Sequence, residues 1–181
     1  LWIMKYPVTN AQFERFIQAG GYENPAYWDG ERSENWRWRL EEHNIEWRGE
    51  GPVTEPEYWH DPRFGKERRG YPVVGVSWYE ATAYAAWLTE LLRRARDGDP
   101  DLPSEDQVLV ADLLEAGVAE VRLPTDREWE RMAGGVADEN RYPWDPPQGP
   151  ATWDEAAILV RANTDESGIG STSPVAMYLL G

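Results

Sequence analysis

Three times along the chain an extended segment runs into a Thr or Ser, an amide or acidic residue follows three positions on, and apolar residues then recur at helical spacing. In the first, Tyr6, Pro7 and Val8 read as extended. Thr9 and Gln12 form a capping box, in which each side chain satisfies a backbone N–H that the first helical turn leaves unpaired. Phe13, Phe16 and Ile17 then share one face, and Gly20 and Gly21 end the helix. In the second, Val73–Val76 is a short strand candidate, Ser77 and Glu80 are the box, and Ala81, Tyr84, Ala85, Leu88, Leu91 and Leu92 make the apolar stripe. Arg93, Arg94 and Arg96 oppose the dipole at its C-terminal end, and Gly98 closes it. In the third, Val121 and Leu123 are extended, Pro124 precedes the cap, and Thr125 and Glu128 pair. Trp129, Met132 and Ala133 form the face expected to be buried, and Gly134 and Gly135 stop the helix.

The segments between these junctions have weaker periodicity. Residues 22–70 are rich in Trp, Glu and Arg and read as loops braced by aromatic anchors. Residues 97–119 read as an insertion that opens on a turn composition, "DGDPDLPSEDQ", with a short helix in "DQVLVADLLEAG" ending at Gly117. "WDPPQGPATWDEA" is a Pro-rich loop, and "RANTDESGIGSTSPV" carries too much Gly and Ser for regular structure before Pro174.

Composition narrows the function classes. The 181 residues suit one domain. The 11 Trp are expected mainly to shape a core, because each buries a large area and needs a partner for its N–H. A formal net charge of −15 argues against tracking nucleic-acid phosphates and against an anionic membrane surface. With no cysteine, the 181 residues hold no disulfide, thiolate metal site or thiol nucleophile. The two histidines, His43 and His60, cannot build a histidine-triad centre. No run approaches the roughly 18 apolar residues of a membrane span. The chain opens on Leu1 and ends on the apolar "SPVAMYLLG", so the natural protein is expected to continue and its true N-terminus is not in view. Localisation stays open, with a cytoplasmic reading preferred.

Six motifs in order, "YPVTNAQFERF", "YPVVGVSWYEATAYAAWL", "VRLPTDREWERMAGG", "RYPW", "RANT" and "TSPVAMYLLG", resemble the formylglycine-generating enzyme (sulfatase-modifying factor) family. The resemblance implies an α+β, C-type-lectin-like fold with few short strands, about three main helices and much irregular structure. Residues 1–181 would be its N-terminal portion, with the C-terminal half supplied by residues beyond Gly181 or by a second chain. The family's catalytic members hold copper with cysteines of that second half, so copper is expected only if cysteines follow. The resemblance also implies a calcium ion at Asn163, the Thr164 carbonyl, Ser167 and the Ile169 carbonyl. Ser167 stands where the family has an acidic residue, with Asp165 or Glu166 as substitute carboxylates. Oxygen donors on a loop suit calcium; the alternative is an Asn/Asp-Gly turn without metal.

Two functions from different classes follow from the resemblance. One is a non-catalytic protein that binds a protein or peptide ligand, of the kind found among variable proteins of diversity-generating retroelements. The other is a copper-dependent formylglycine-generating oxidase that activates sulfatases. A third, sulfoxide synthesis at a three-histidine iron site, ranks last because two histidines cannot supply it. Other candidates read as structural. The acidic run "EEHNIEWRGEGPVTEPE" is a solvated loop surface, His60 beside Asp61 an ordinary surface histidine, Asn10 a stabiliser of the first helical turn, and Trp129 and Trp144 core residues.

Overall fold

The structure is a computed structural model and describes residues 3–41, 51–95, 112–114, 116–134, 142–146 and 151–178. The chain divides into two compact units, one of residues 1–10, 60–73 and 124–181, the other of residues 11–59 and 74–123. No helix among the described residues is long and apolar enough to cross a membrane.

The second unit is built on aromatic rings. Helix α1, Asn10–Gln18, places Phe13 and Phe16 three residues apart, so both point into the core and are fully buried. Phe13 stacks on Tyr84 at 5.3 Å, and Phe16 meets Trp87 edge-on at 5.7 Å. The helix ends as its glycines require. Gly20 takes a positive φ of 72°, and a Cβ on Gly21 would lie 2.1 Å from the Phe16 ring. The Gly21 N–H returns to the Phe16 carbonyl at 2.9 Å. Helix α3, Trp78–Ala95, starts at the predicted box: Ser77 N–H donates to Glu80 Oε2 at 2.8 Å and Glu80 N–H to Ser77 Oγ at 3.2 Å. Its buried face matches the predicted stripe at Tyr84 and Ala85 and departs from it elsewhere. Ala83, Tyr84, Ala85 and Trp87 are buried, whereas Leu88, Leu91 and Leu92 are half-buried. The helix turns its rings, rather than its leucines, to the Phe13–Phe16 pair.

Residues 22–70 hold more helix than their composition suggests. A 3-10 turn, Pro25–Trp28, buries Trp28 completely, and its indole N–H donates to the Gly21 carbonyl at 2.9 Å. Helix α2, Glu34–Leu40, is capped by Ser33, whose Oγ accepts from Trp36 N–H at 2.9 Å. Arg39 on α2 is buried, lies 4.8 Å over the Trp36 ring, and has its pKa lowered by burial, with Glu23 and Tyr22 opposing. Of the 97–119 insertion, residues 112–114 are helical and end at Gly117, with φ of 67°, as expected; residues 97–111 lie outside the described residues. Arg96 and Gly98 also lie outside.

The strand expected at Val73–Val76 is absent. Gly75 breaks the run with φ of 72°, and a Cβ there would meet Glu57 Cβ at 2.8 Å. Among the described residues, the extended pairing is a single antiparallel bridge, Thr9 to Pro72. It is flanked by Asn10 N–H to Tyr71 O and Val73 N–H to Val8 O, both 2.9 Å.

In the first unit, helix α4, Asp126–Gly134, begins at the third predicted box. Thr125 N–H and Oγ1 donate to Glu128 Oε2 at 2.8 and 2.9 Å. Trp129, however, is 61% exposed and Ala133 is exposed, which corrects the expectation of a buried stripe. The amphipathic spacing is present, but no described residue covers Trp129. Gly135 lies outside the described residues. Helix α5, Glu155–Leu159, is capped by Asp154.

Candidate functional site

The predicted calcium segment folds around one short 3-10 turn, Asp165–Ser167, closed by Gly168 with φ of 65°. Ser167 N–H donates to the Thr164 carbonyl at 3.0 Å, which engages one of the two predicted carbonyl ligands. The turn brings Asn163 and Ser167 together: Ser167 Oγ donates to Asn163 Oδ1 at 2.9 Å, and the Ile169 N–H donates to Ser167 Oγ at 3.3 Å. Asn163 Nδ2 then donates to the Ser171 carbonyl at 2.7 Å, tying the start of the loop to its end. Asn163, Thr164 and Ser167 are half-buried, while Asp165, Glu166 and Ile169 are exposed. The Glu166 carboxyl lies below its ordinary pKa chiefly because its own backbone N–H stabilises the charged form, with the nearby Thr164 hydroxyl a lesser influence.

The sequence did not mark three side chains of this segment: the hydroxyls of Thr164, Ser171 and Thr172 are buried and have no hydrogen-bond partner among the described residues. A buried hydroxyl without a partner costs about 1–3 kcal/mol. They, Asn163 Oδ1 and Ser167 Oγ are neutral oxygens, a donor type that a hard cation accepts, and Asp165 and Glu166 add carboxylates to the same segment. The donor types suit calcium, whose affinity rises with ligand charge. Among the described residues no group of three or more His, Cys, Asp or Glu is placed to hold a metal.

The remaining candidates fall elsewhere. Asn10 does not use its side chain on its own helix. Its Nδ2 reaches the carbonyls of Phe64, Gly65 and Arg68 at 2.9, 3.0 and 3.0 Å. His60 is exposed, and Asp61 is committed to Arg63, which holds its carboxyl below the ordinary range. His43 and most of the acidic run lie outside the described residues. Trp144 is half-buried and stacks on Tyr142 at 5.0 Å; Arg141 lies outside the described residues. Beside them Asp145, which no sequence pattern marked, accepts from Tyr142 N–H at 3.0 Å, Ala151 N–H at 3.2 Å and the Trp153 indole at 2.6 Å. This hub gives "RYPWD" its structural sense.

Comparison with known proteins shows the family. The family model of the sulfatase-modifying factor enzyme 1-like domain matches residues 1–179. A formylglycine-generating enzyme of Thermomonospora curvata is 30% identical over 78% of this chain and 40% of its own length. A serine/threonine-protein kinase pkn1 of Chlamydia caviae is 30% identical over 76% of this chain and 15% of its own. A hercynine oxygenase of Mycolicibacterium thermoresistibile is 28% identical over 78% of this chain and 24% of its own. The chain thus spans well under half the length of these relatives. No solved structure matches it.

Proposed function

The chain belongs to the sulfatase-modifying factor enzyme 1-like family, and we propose that its residues 1–181 act as a non-catalytic, ligand-binding scaffold of the C-type-lectin-like kind. A protein or peptide is the ligand, as in variable proteins of diversity-generating retroelements, and a loosely held calcium ion braces residues 163–172. The observation that carries this reading is the 163–172 loop with three unpartnered buried hydroxyls, of Thr164, Ser171 and Thr172, in a sequence that has no cysteine and two histidines. Oxygen donors of this kind suit a hard cation better than copper.

Titration of calcium into the purified chain tests it. With only neutral donors buried, a Kd near 1 mM is expected, so ~10 mM calcium adds about 1.4 kcal/mol. That shifts the melting temperature by roughly 3–6 °C. Asn163→Ala should abolish the shift. A melt unmoved by calcium sinks the calcium part.

The second reading is the copper-dependent formylglycine-generating oxidase, with its cysteines beyond Gly181. The relative named formylglycine-generating enzyme, of which the chain covers 40%, favours it. Copper(I)-dependent conversion of a cysteine-bearing sulfatase peptide to formylglycine, by the natural full-length protein, would overturn the non-catalytic reading. The relatives named hercynine oxygenase raise a third, which would need at least one further metal-binding residue beyond His43 and His60.

A further inference from the structure

We propose that the second unit contains a one-electron relay that runs from the exposed Trp78 through Tyr79, Trp38 and Trp28 to the buried Tyr22–Glu80 pair. Each step is a ring contact. Trp78 meets Tyr79 at 5.3 Å, Tyr79 stacks on Trp38 at 4.9 Å, Trp38 stacks on Trp28 at 6.4 Å, and Trp28 meets Tyr22 at 5.6 Å. At such centroid separations ring edges are in van der Waals contact. Electron tunnelling falls off exponentially with distance, so a series of short steps outruns one long one.

The two ends differ in the way a relay needs. Trp78 is 61% exposed, open to a one-electron oxidant in solution. Tyr22 and Glu80 are fully buried, and the Tyr22 phenol donates to Glu80 Oε1 at 2.7 Å. A tyrosine gives up an electron readily only when its proton leaves at the same time; Tyr79 therefore serves as a packed tunnelling bridge between Trp78 and Trp38 without being oxidised itself, and the hole comes to rest at Tyr22. Glu80 Oε1 is placed to receive that proton, while Oε2 is held by the Ser77 N–H. The balance closes: the oxidant gains one electron, Tyr22 becomes a neutral phenoxyl radical, and Glu80 becomes the carboxylic acid. Arg39, whose charge is felt at Tyr22, disfavours a cationic ring there, so loss of the proton is required.

Among the described residues, two side branches are closed by chemistry. Trp36 lies 6.5 Å from Trp28, but the Arg39 guanidinium sits over its ring at 4.8 Å and opposes a radical cation. Tyr84 and Trp87 reach Tyr22 through Phe16, whose ring is not oxidised at these potentials. Tyr84 also holds its proton tightly, its pKa being pushed up to about 12 by burial. Thiols, the usual end of such holes, are absent: the sequence has no cysteine. Its three methionines, Met4, Met132 and Met177, all belong to the other unit.

The absence of cysteine makes the test clean. A single Thr82→Cys substitution, one turn from Trp78 on α3, carries a ruthenium polypyridyl photosensitiser, oxidised by flash and external quencher. The expected result is a tryptophan radical that decays into a neutral tyrosyl radical, read by transient absorption, with a solvent deuterium isotope effect. Tyr22→Phe should remove the tyrosyl signal, and Glu80→Gln should remove the isotope effect. Trp38→Phe should cut the tyrosyl yield at least tenfold while the tryptophan radical persists. Tyr58→Phe, outside the path, should change nothing. A tyrosyl signal that survives Tyr22→Phe or Trp38→Phe overturns the relay, as does its absence from the parent. Should Tyr22→Phe fail to fold, Trp38→Phe decides alone, since that ring is only half-buried.

Discussion

Asn10 should contribute more to stability than any other exposed-type residue near the N-terminus, and by a mechanism that an aspartate cannot imitate. Its side chain is 1% exposed and its amide nitrogen faces three carbonyls, of Phe64, Gly65 and Arg68, at 2.9–3.0 Å. An amide nitrogen has two hydrogens, so two bonds form fully and the third carbonyl shares. Asn10→Ala loses two net bonds of about 1 kcal/mol each and leaves at least one buried carbonyl unsatisfied, at about 1–3 kcal/mol, roughly 3–5 in all. For a chain of this size that lowers the melting temperature by roughly 10 °C. Asn10→Asp is nearly isosteric but turns a negative oxygen on the same three carbonyls. At pH 7 it should therefore be less stable than Asn10→Ala. The sign with pH follows. Repulsion raises the folded pKa of that aspartate above its unfolded ~3.9, so protonation favours the folded state. Its contribution is fully present below the unfolded pKa and is lost as pH rises through the folded one. Thermal melts of both variants at pH 4 and pH 7 are the assay. If Asp is as stable as Ala at pH 7, or the gap fails to narrow at pH 4, the carbonyl cage is not what holds this residue.

Three further outcomes rest on the same kind of accounting. Tyr84, with a pKa raised from 10.0 to about 12 by burial, should ionise late in an alkaline absorbance titration. Stability worth about 2–3 kcal/mol should be fully present below pH 10 and disappear as pH rises through 12, whereas Tyr84→Phe should flatten that window. Ser77→Ala removes a cap and should cost about 1 kcal/mol in denaturant melts. Glu80→Ala should cost at least twice that, because it also strands the buried Tyr22 hydroxyl. Asp145→Ala strands two backbone N–H groups and the Trp153 indole; a loss of about 3–5 kcal/mol is expected, with a change in Trp fluorescence reporting the release.

What could be read from the sequence was whatever is decided within four residues. The boxes at Ser77–Glu80 and Thr125–Glu128 are local, and so are the Gly20–Gly21 and Gly117 stops; each stands in the structure as expected. Which face of a helix is buried is decided elsewhere in the chain. The α3 stripe was right at Tyr84 and Ala85 but omitted Trp87, which rings on α1 also select, and Trp129 remains open because no described residue covers it. The family itself was legible, since its motifs are mostly these same junctions, and the match over residues 1–179 bears that out.

Glu80 shows where the division falls. One carboxyl oxygen serves the Ser77 cap, three residues away, and this half of its role follows from spacing alone. The other accepts from Tyr22, 58 positions earlier, and no periodicity connects them. The same separation recurs where Asn10 reaches Arg68, also 58 positions away. In the loop at 163–172 Asn163 and Ser167 were singled out only through the family resemblance and their mutual contact was not foreseen, whereas the buried Ser171 and Thr172 hydroxyls read in sequence as ordinary loop polarity. A capping box accepts either Glu or Gln three residues after its cap. A fully buried carboxylate that must also take a phenol does not, so the nonlocal partner, not the cap, is the stronger constraint on residue 80. Chemistry in this chain therefore sits where a residue with an evident local duty carries a second one at long range.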